Sequence, residues 1–280
     1  VGQSATPRLA KYYQNDFNAF KALLIRMFVI ALVIGILGVA GAFYFGQYVL
    51  NIFYTAEYSD YNDLFVYVMV AALSMYISTI KGSSDTVKSA RLNYDMEAAM
   101  QFMVNDIRRA GYWGGAVAAS VATSNPFTNS TANIQLLDPV VISGTTFYRC
   151  ILYTYDFDGD AAINNEYFGF KLDSSTIKSS SASTVDAVAN CGATDSRWKD
   201  ILDSDNIEIT SLTFSNSNYK CLNTSTSPDQ LCSIGISSGD IAVEIRQIDI
   251  TLTGRVKNDN SVVKTLTGTV KVRNNRIYVN

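Results

Sequence analysis

Hydrophobic and polar positions divide the chain into three zones. Residues 1–22, "VGQSATPRLAKYYQNDFNAFKA", are polar with helical spacing. The run "LLIRMFVIALVIGILGVAGAFYFGQYVLNIFY" follows, and no charge falls between Arg26 and Glu57. A helix of that length crosses a hydrocarbon core of about 30 Å. Gly35, Gly38 and Gly41 recur every three residues; such small residues either let helices approach closely in lipid or are simply tolerated in a membrane helix. The run is too long, and too far from the start, for a secretory signal peptide. A loop at 47–63 carries Glu57, Asp60 and Asp63, and a second apolar stretch, "LFVYVMVAALSMYISTI", fills 64–80 at a length marginal for a span.

Lys81 and Gly82 end that stretch, and the pattern becomes amphipathic. Leu92, Met96, Ala99, Met103, Ile107 and Ala110 recur at three- and four-residue steps and predict a helix over 83–110 with one apolar face. Ser83 or Ser84 supplies a cap at its start, and Gly111 ends it, with Arg108 and Arg109 complementing the dipole. Asp95, Glu97 and Asp106 fall on its polar face.

After Trp113 the period shortens, and 138–280 reads as β-rich. "PVVIS", "TFYRCILYTY", "EYFGFKL", "NIEITSLTFS", "IAVEIRQIDITLTG" and "VVKTLTGTVKVRN" are the strand-like segments. In the fifth, Val243, Ile245, Ile248, Ile250 and Leu252 alternate apart from one slip at Arg246–Gln247, the mark of a bulge. "RVKNDNSVV" is the expected hairpin loop before the last long strand, and "LDSSTIKSSSAST" is expected to be a polar loop. The pattern predicts an α+β chain: a long helix on an antiparallel sheet, preceded by a further transmembrane helical segment.

Composition narrows the chemistry. The net charge is −3, and no basic footprint for nucleic acid stands out. There is no His, which removes the commonest general base and metal ligand and excludes His-dependent serine or cysteine hydrolases. Nothing in the sequence sets two carboxylates across a cleft for glycoside hydrolysis, so a non-enzymatic protein is expected. The four Cys, at 150, 191, 221 and 232, fit no zinc spacing and lie in the polar β region. Sequence allows three pairings. Cys221–Cys232 would close the short loop "CLNTSTSPDQLC" and leave Cys150–Cys191 as the second bridge, in an oxidising compartment. Four buried free thiols are the alternative.

"DFDGDAAINNE" at 156–166 is the one ligand-like cluster. Asp156, Asp158 and Asp160 alternate as in an EF-hand loop, Ala162 offers a carbonyl, and Asn164 takes the next ligand step. Ala161 stands where that loop requires Gly, and Glu166 arrives one residue before the bidentate Glu, whose place Tyr167 occupies. The two readings are a weak calcium site in a β-turn and a solvated acidic hairpin turning at Gly159. Repulsion among three close carboxylates is the physical motive for a cation.

The helix ending "AAMQFMVNDIRRAGYWGG" resembles the PilW family of type IV pilus minor pilins and, more loosely, the minor pseudopilins of type II secretion. "CILYTYDFDGDAAINNEYFGFKL", "DILDSDNIEITSLTFS" and the closing "VKVRNNRI" are similar to later parts of that family, so the likeness spans about residues 73–280. It implies a pilin-like fold and a structural subunit that helps initiate and assemble pilus filaments. The implied partners are other major and minor pilins and inner-membrane lipid, with no nucleic acid and no small-molecule substrate. The implied location is the inner membrane with a periplasmic domain, later an extracellular filament with a role in adhesion.

The pilin processing motif and the Glu at the fifth mature position do not precede either apolar segment. "GQSATPRLAKYYQ", the membrane run and "YTAEYSDYNDLFVYVMVAA" instead resemble the membrane helices of Wzx-like polysaccharide flippases over about residues 1–72. Lys11, Lys21 and Arg26 place the N-terminal side of the first span in the cytoplasm. A second full span would then return the cysteine-bearing sheet to the reducing side. Three outcomes resolve that conflict: a second stretch that does not span, a reversed first span, or, the favoured one, two halves that do not belong together, in a chimeric chain joined near residues 68–75 or a rare fusion. The alternatives to a minor pilin are a flippase fragment and a membrane-tethered calcium-binding adhesin module.

Overall fold

The computed structural model describes residues 17–53, 61–117, 122–129, 132–182, 191, 197–216, 218–226, 230–257 and 259–280. Lys11 and the loop acids Glu57 and Asp60 lie outside them. The chain divides into two compact units, Val1–Thr86 and Val87–Asn280.

In the first unit, helix α1 (Phe17–Phe53) carries the longest apolar run. It meets the opening turns of helix α2 (Asn62–Ile107). A Cβ on Gly35 would stand 2.5 Å from Leu73 Cδ1, and one on Gly38 would stand 3.2 Å from Met69 Cε, whereas Gly41 faces open space. Two of the three glycines therefore admit side chains of the facing helix, as small residues do between membrane helices. Ile34, Leu37, Phe45, Val68 and Met75 are exposed. Both helices are long and apolar enough to cross a membrane.

The second helix differs from its sequence reading. It begins at Asn62 rather than near residue 83 and stays helical through Lys81–Gly82–Ser83–Ser84, so neither serine caps a helix start. The Thr86 hydroxyl donates to the Gly82 carbonyl at 2.8 Å. A Gly and two Ser cost a helix about 2 kcal/mol together, less than two new termini with their unsatisfied backbone groups. The α-helix ends at Ile107, and tighter turns carry the chain to Gly111, which is left-handed at φ 74°. The Gly111 N–H donates to the Thr154 carbonyl rather than back to the helix.

All sheet pairs of the second unit are antiparallel. The strands are β1 (Gln135–Ile142), β2 (Thr145–Thr154), β3 (Tyr167–Asp173), β4 (Thr176–Ala182), β5 (Trp198–Asp200), β6 (Ile207–Ser215), β7 (Lys220–Asn223), β8 (Gln230–Leu231), β9 (Ile241–Ile245), β10 (Gln247–Val256), β11 (Asp259–Lys271) and β12 (Arg276–Val279). The large sheet runs β11-β10-β6-β2-β3-β4-β5, with β1 also on β2, and the small sheet runs β12-β9-β7-β8.

Leu92, Met96, Ala99, Met103, Ile107 and Ala110 are all buried, joined by Met100 and Val104, against Ile151, Tyr153, Phe170, Leu212, Phe214, Ile250 and Leu252 of the large sheet. Glycines on two strands make room for them. A Cβ on Gly254 would stand 3.0 Å from Met96 Sδ, and one on Gly268 would stand 2.7 Å from Met100 Sδ. Side chains alternate across β2, so Ile151 and Tyr153 face the helix, while Cys150 and Leu152 join Tyr167 and Trp198 in a second cluster.

Three readings of the β region change. "LDSSTIKSSSAST" is not a loop: Thr176–Ala182 is a strand paired with β3, and Ser174 and Ser175 make the hairpin turn, both with positive φ. The slip at Arg246 is not a bulge within one strand: it separates β9 of the small sheet from β10 of the large one. The bulges on β10 lie at Thr253–Gly254 and Arg255–Val256. Its hairpin with β11 is tighter than "RVKNDNSVV" suggested, since Val256 pairs directly with Asp259.

Candidate functional site

The β2–β3 connection gathers the acidic residues. Asp156, Asp158, Asp160 and Glu166 each bring one carboxylate oxygen within 4.8 Å of the others. Asp156 is 3% exposed, and its carboxylate accepts the backbone N–H groups of Gly114 (2.8 Å), Gly159 (2.7 Å) and Ala161 (3.2 Å). It thereby ties the segment after α2 to the loop, beside the Asp156 N–H to Tyr112 carbonyl bond at 2.9 Å. Asp158 and Asp160 are exposed, and each accepts an N–H two residues on, from Asp160 and Ala162.

Asn164 braces this arrangement, since its Nδ2 donates to Asp160 Oδ2 at 2.8 Å. Ala161, at the position the calcium loop reserves for Gly, takes the left-handed conformation at φ 64°. Glu166 is 3% exposed. Its Oε1 accepts the Phe157 N–H at 2.7 Å, while its Oε2 has no hydrogen-bond partner. Burial pushes its pKa up. The Phe157 and Asp158 N–H groups oppose that shift, and the Asp156 and Asp158 charges add to it. The set offers oxygen ligands alone, suited to a hard cation.

The model of the family described as prepilin peptidase-dependent protein B matches residues 85–272, more than half of the chain. The chain belongs to that family. The match points to a type IV pilus-related protein. Comparisons with curated proteins and with solved structures found no match.

In this pilus-related chain the structure bonds Cys150 to Cys191 and Cys221 to Cys232. The first bridge lies in the cluster of Leu152, Tyr167 and Trp198. There the Lys171 ammonium sits 4.7 Å from the Trp198 ring centre and donates to the Cys191 carbonyl at 2.8 Å. Arg109 pairs with Asp106 at 3.9 Å and lies 5.8 Å from the Tyr155 ring centre. Tyr112 is exposed, and Trp113 packs against Gly115 beside Ala161.

Two residues that periodicity misplaced stand out. Asp106 is not simply on a solvated face, because it accepts both the Tyr153 and the Tyr155 hydroxyls. Arg246 is fully buried where the chain crosses between sheets. Its guanidinium donates to Asn133 Oδ1 and, at 2.6 Å, to the Asn274 carbonyl. The Asn274 amide in turn donates to the Arg109 and Ala110 carbonyls at 3.3 Å each, beyond the end of α2. Burial lowers the Arg246 pKa, countered by Tyr219 and Glu244 nearby. The one available clue was an Arg interrupting an apolar alternation.

Proposed function

We propose that the chain is a minor pilin of the PilW type: a non-enzymatic structural subunit that takes part in initiating and assembling a type IV pilus. The observation that carries this reading is the family match over residues 85–272, falling on an amphipathic helix laid along an antiparallel sheet. The apolar stretches anchor the subunit in the inner membrane and meet the helices of other major and minor pilins. The sheet lies in the periplasm and then on the extracellular filament, where its surface serves lateral contacts and adhesion. Two disulfides suit such an oxidising location.

Residues 1–84 stand outside the family match. The reading of residues 1–72 as a flippase-like fragment rests on sequence likeness alone, and a DNA read across codons 60–90 of the source tests it.

The pilus reading is tested by deleting the gene in its source cells and counting surface filaments. Far fewer filaments, restored by re-expression, support it. Unchanged piliation, with the protein missing from sheared filaments, contradicts it.

A further inference from the structure

The β2–β3 loop carries a feature that a solvated acidic hairpin leaves unexplained. Glu166 is 3% exposed, and its Oε1 is held by the Phe157 N–H, so the carboxylate is not free to swing into water. Its Oε2 is buried and has no hydrogen-bond partner, and the Glu166 carboxylate brings one of its oxygens within 4.8 Å of one oxygen each from Asp156, Asp158 and Asp160. A buried, unsatisfied carboxylate oxygen is costly, and more so beside three other carboxylates. A cation at their centre removes both costs.

We infer that Asp156, Asp158, Asp160 and Glu166 form a calcium site that fastens the β2–β3 loop to the segment following α2. The donor set is all carboxylate, which favours a hard divalent ion over zinc or copper. Oxygens on opposite sides of a calcium ion stand up to about 5 Å apart, in keeping with four oxygens all within 4.8 Å of one another. Magnesium, with its shorter bonds and near-ideal octahedron, demands a tighter cage. Asp156 anchors the site, because its N–H donors come from both Gly114 and the loop itself. Glu166 closes the site from the first position before β3, which explains how a strand-flanked loop manages without the bidentate Glu one residue later.

The test uses the full chain in detergent micelles, stripped with EDTA and titrated with calcium chloride by calorimetry, with magnesium chloride as the comparison. Its readout is independent of piliation, so it can fail while the pilus reading stands. One saturable calcium site is expected, with at least tenfold weaker magnesium binding and a rise in melting temperature with calcium. Asp158→Asn, at an exposed position, and Glu166→Gln, which keeps side-chain size, should each weaken calcium binding at least tenfold. Asp158→Asn carries the comparison if Glu166→Gln fails to fold. No heat and no thermal shift at millimolar calcium overturns the site, as does binding that Asp158→Asn leaves unchanged.

Discussion

Tyr153, on β2, donates its hydroxyl to Oδ2 of Asp106, on α2, at 2.6 Å. Tyr155 donates to the other oxygen of the same carboxylate at 2.8 Å. One acidic side chain thus fastens the last turn of the helix to the sheet, between rings that continue into Phe168 and Phe170. Hydrogen bonds to a charged group contribute about 1.5–3 kcal/mol each, and truncation strands the buried hydroxyls. Asp106→Ala should therefore lower stability by about 3 kcal/mol in urea unfolding, and Asp106→Asn by less. A loss below about 0.5 kcal/mol for Asp106→Ala would show the pair to be incidental.

The same pair sets an alkaline limit. Burial, then the Asp106 charge, pushes Tyr153 and Tyr155 well above the ordinary tyrosine range, and burial pushes Tyr219 up to about 12. A folded-state pKa above the unfolded value of about 10 means that the unfolded chain loses protons first. The stabilisation is complete below about pH 10 and declines as pH rises through the folded-state values. Melting temperature should fall from about pH 10 upward, and the double variant Tyr153→Phe/Tyr155→Phe should fall less steeply over that interval.

Arg246 links three parts of the second unit: the two sheets it lies between and, through Asn274, the turn after α2. Arg246→Ala removes two charge-assisted bonds and leaves a cavity, so a loss of about 3–5 kcal/mol is expected. Hydrogen exchange should localise the loosening to β9, β10 and residues 108–112. Global stability within about 1 kcal/mol of the parent would contradict this role.

The Cys150–Cys191 bridge spans 41 residues and Cys221–Cys232 spans 11. In the chain-entropy account the longer loop contributes about 4 kcal/mol and the shorter about 3. Cys150→Ala/Cys191→Ala should accordingly lower the melting temperature more than Cys221→Ala/Cys232→Ala does. Reductant should lower it further in either variant, acting on the bridge that remains.

The helix face was legible because burial against one sheet imposes a 3.6-residue period, and Leu92 to Ala110 keep it without a break. The long strands were legible for the matching reason in β2, β6 and β10. β4 was not, because its partners on both sides and the Ser174–Ser175 turn fix it as a strand whatever its serines prefer. The helical continuity through Lys81–Ser84 was hidden because local propensity there is poor and the reason to continue is cooperative. The acidic spacing of 156–166 could be read directly, whereas the stranded Glu166 oxygen depends on burial that no linear pattern records. Asp106 looked like an ordinary solvated acid because its tyrosine partners lie more than forty residues away.

The most direct test of the pilus-subunit account is in-cell cross-linking, with a photoreactive residue replacing Tyr94, an exposed position on α2, followed by mass spectrometry of sheared, purified filaments. The account predicts that the chain is recovered in the filament fraction, joined covalently to other pilins. Its recovery solely from the membrane fraction, with no pilin adduct while filaments assemble normally, would contradict it.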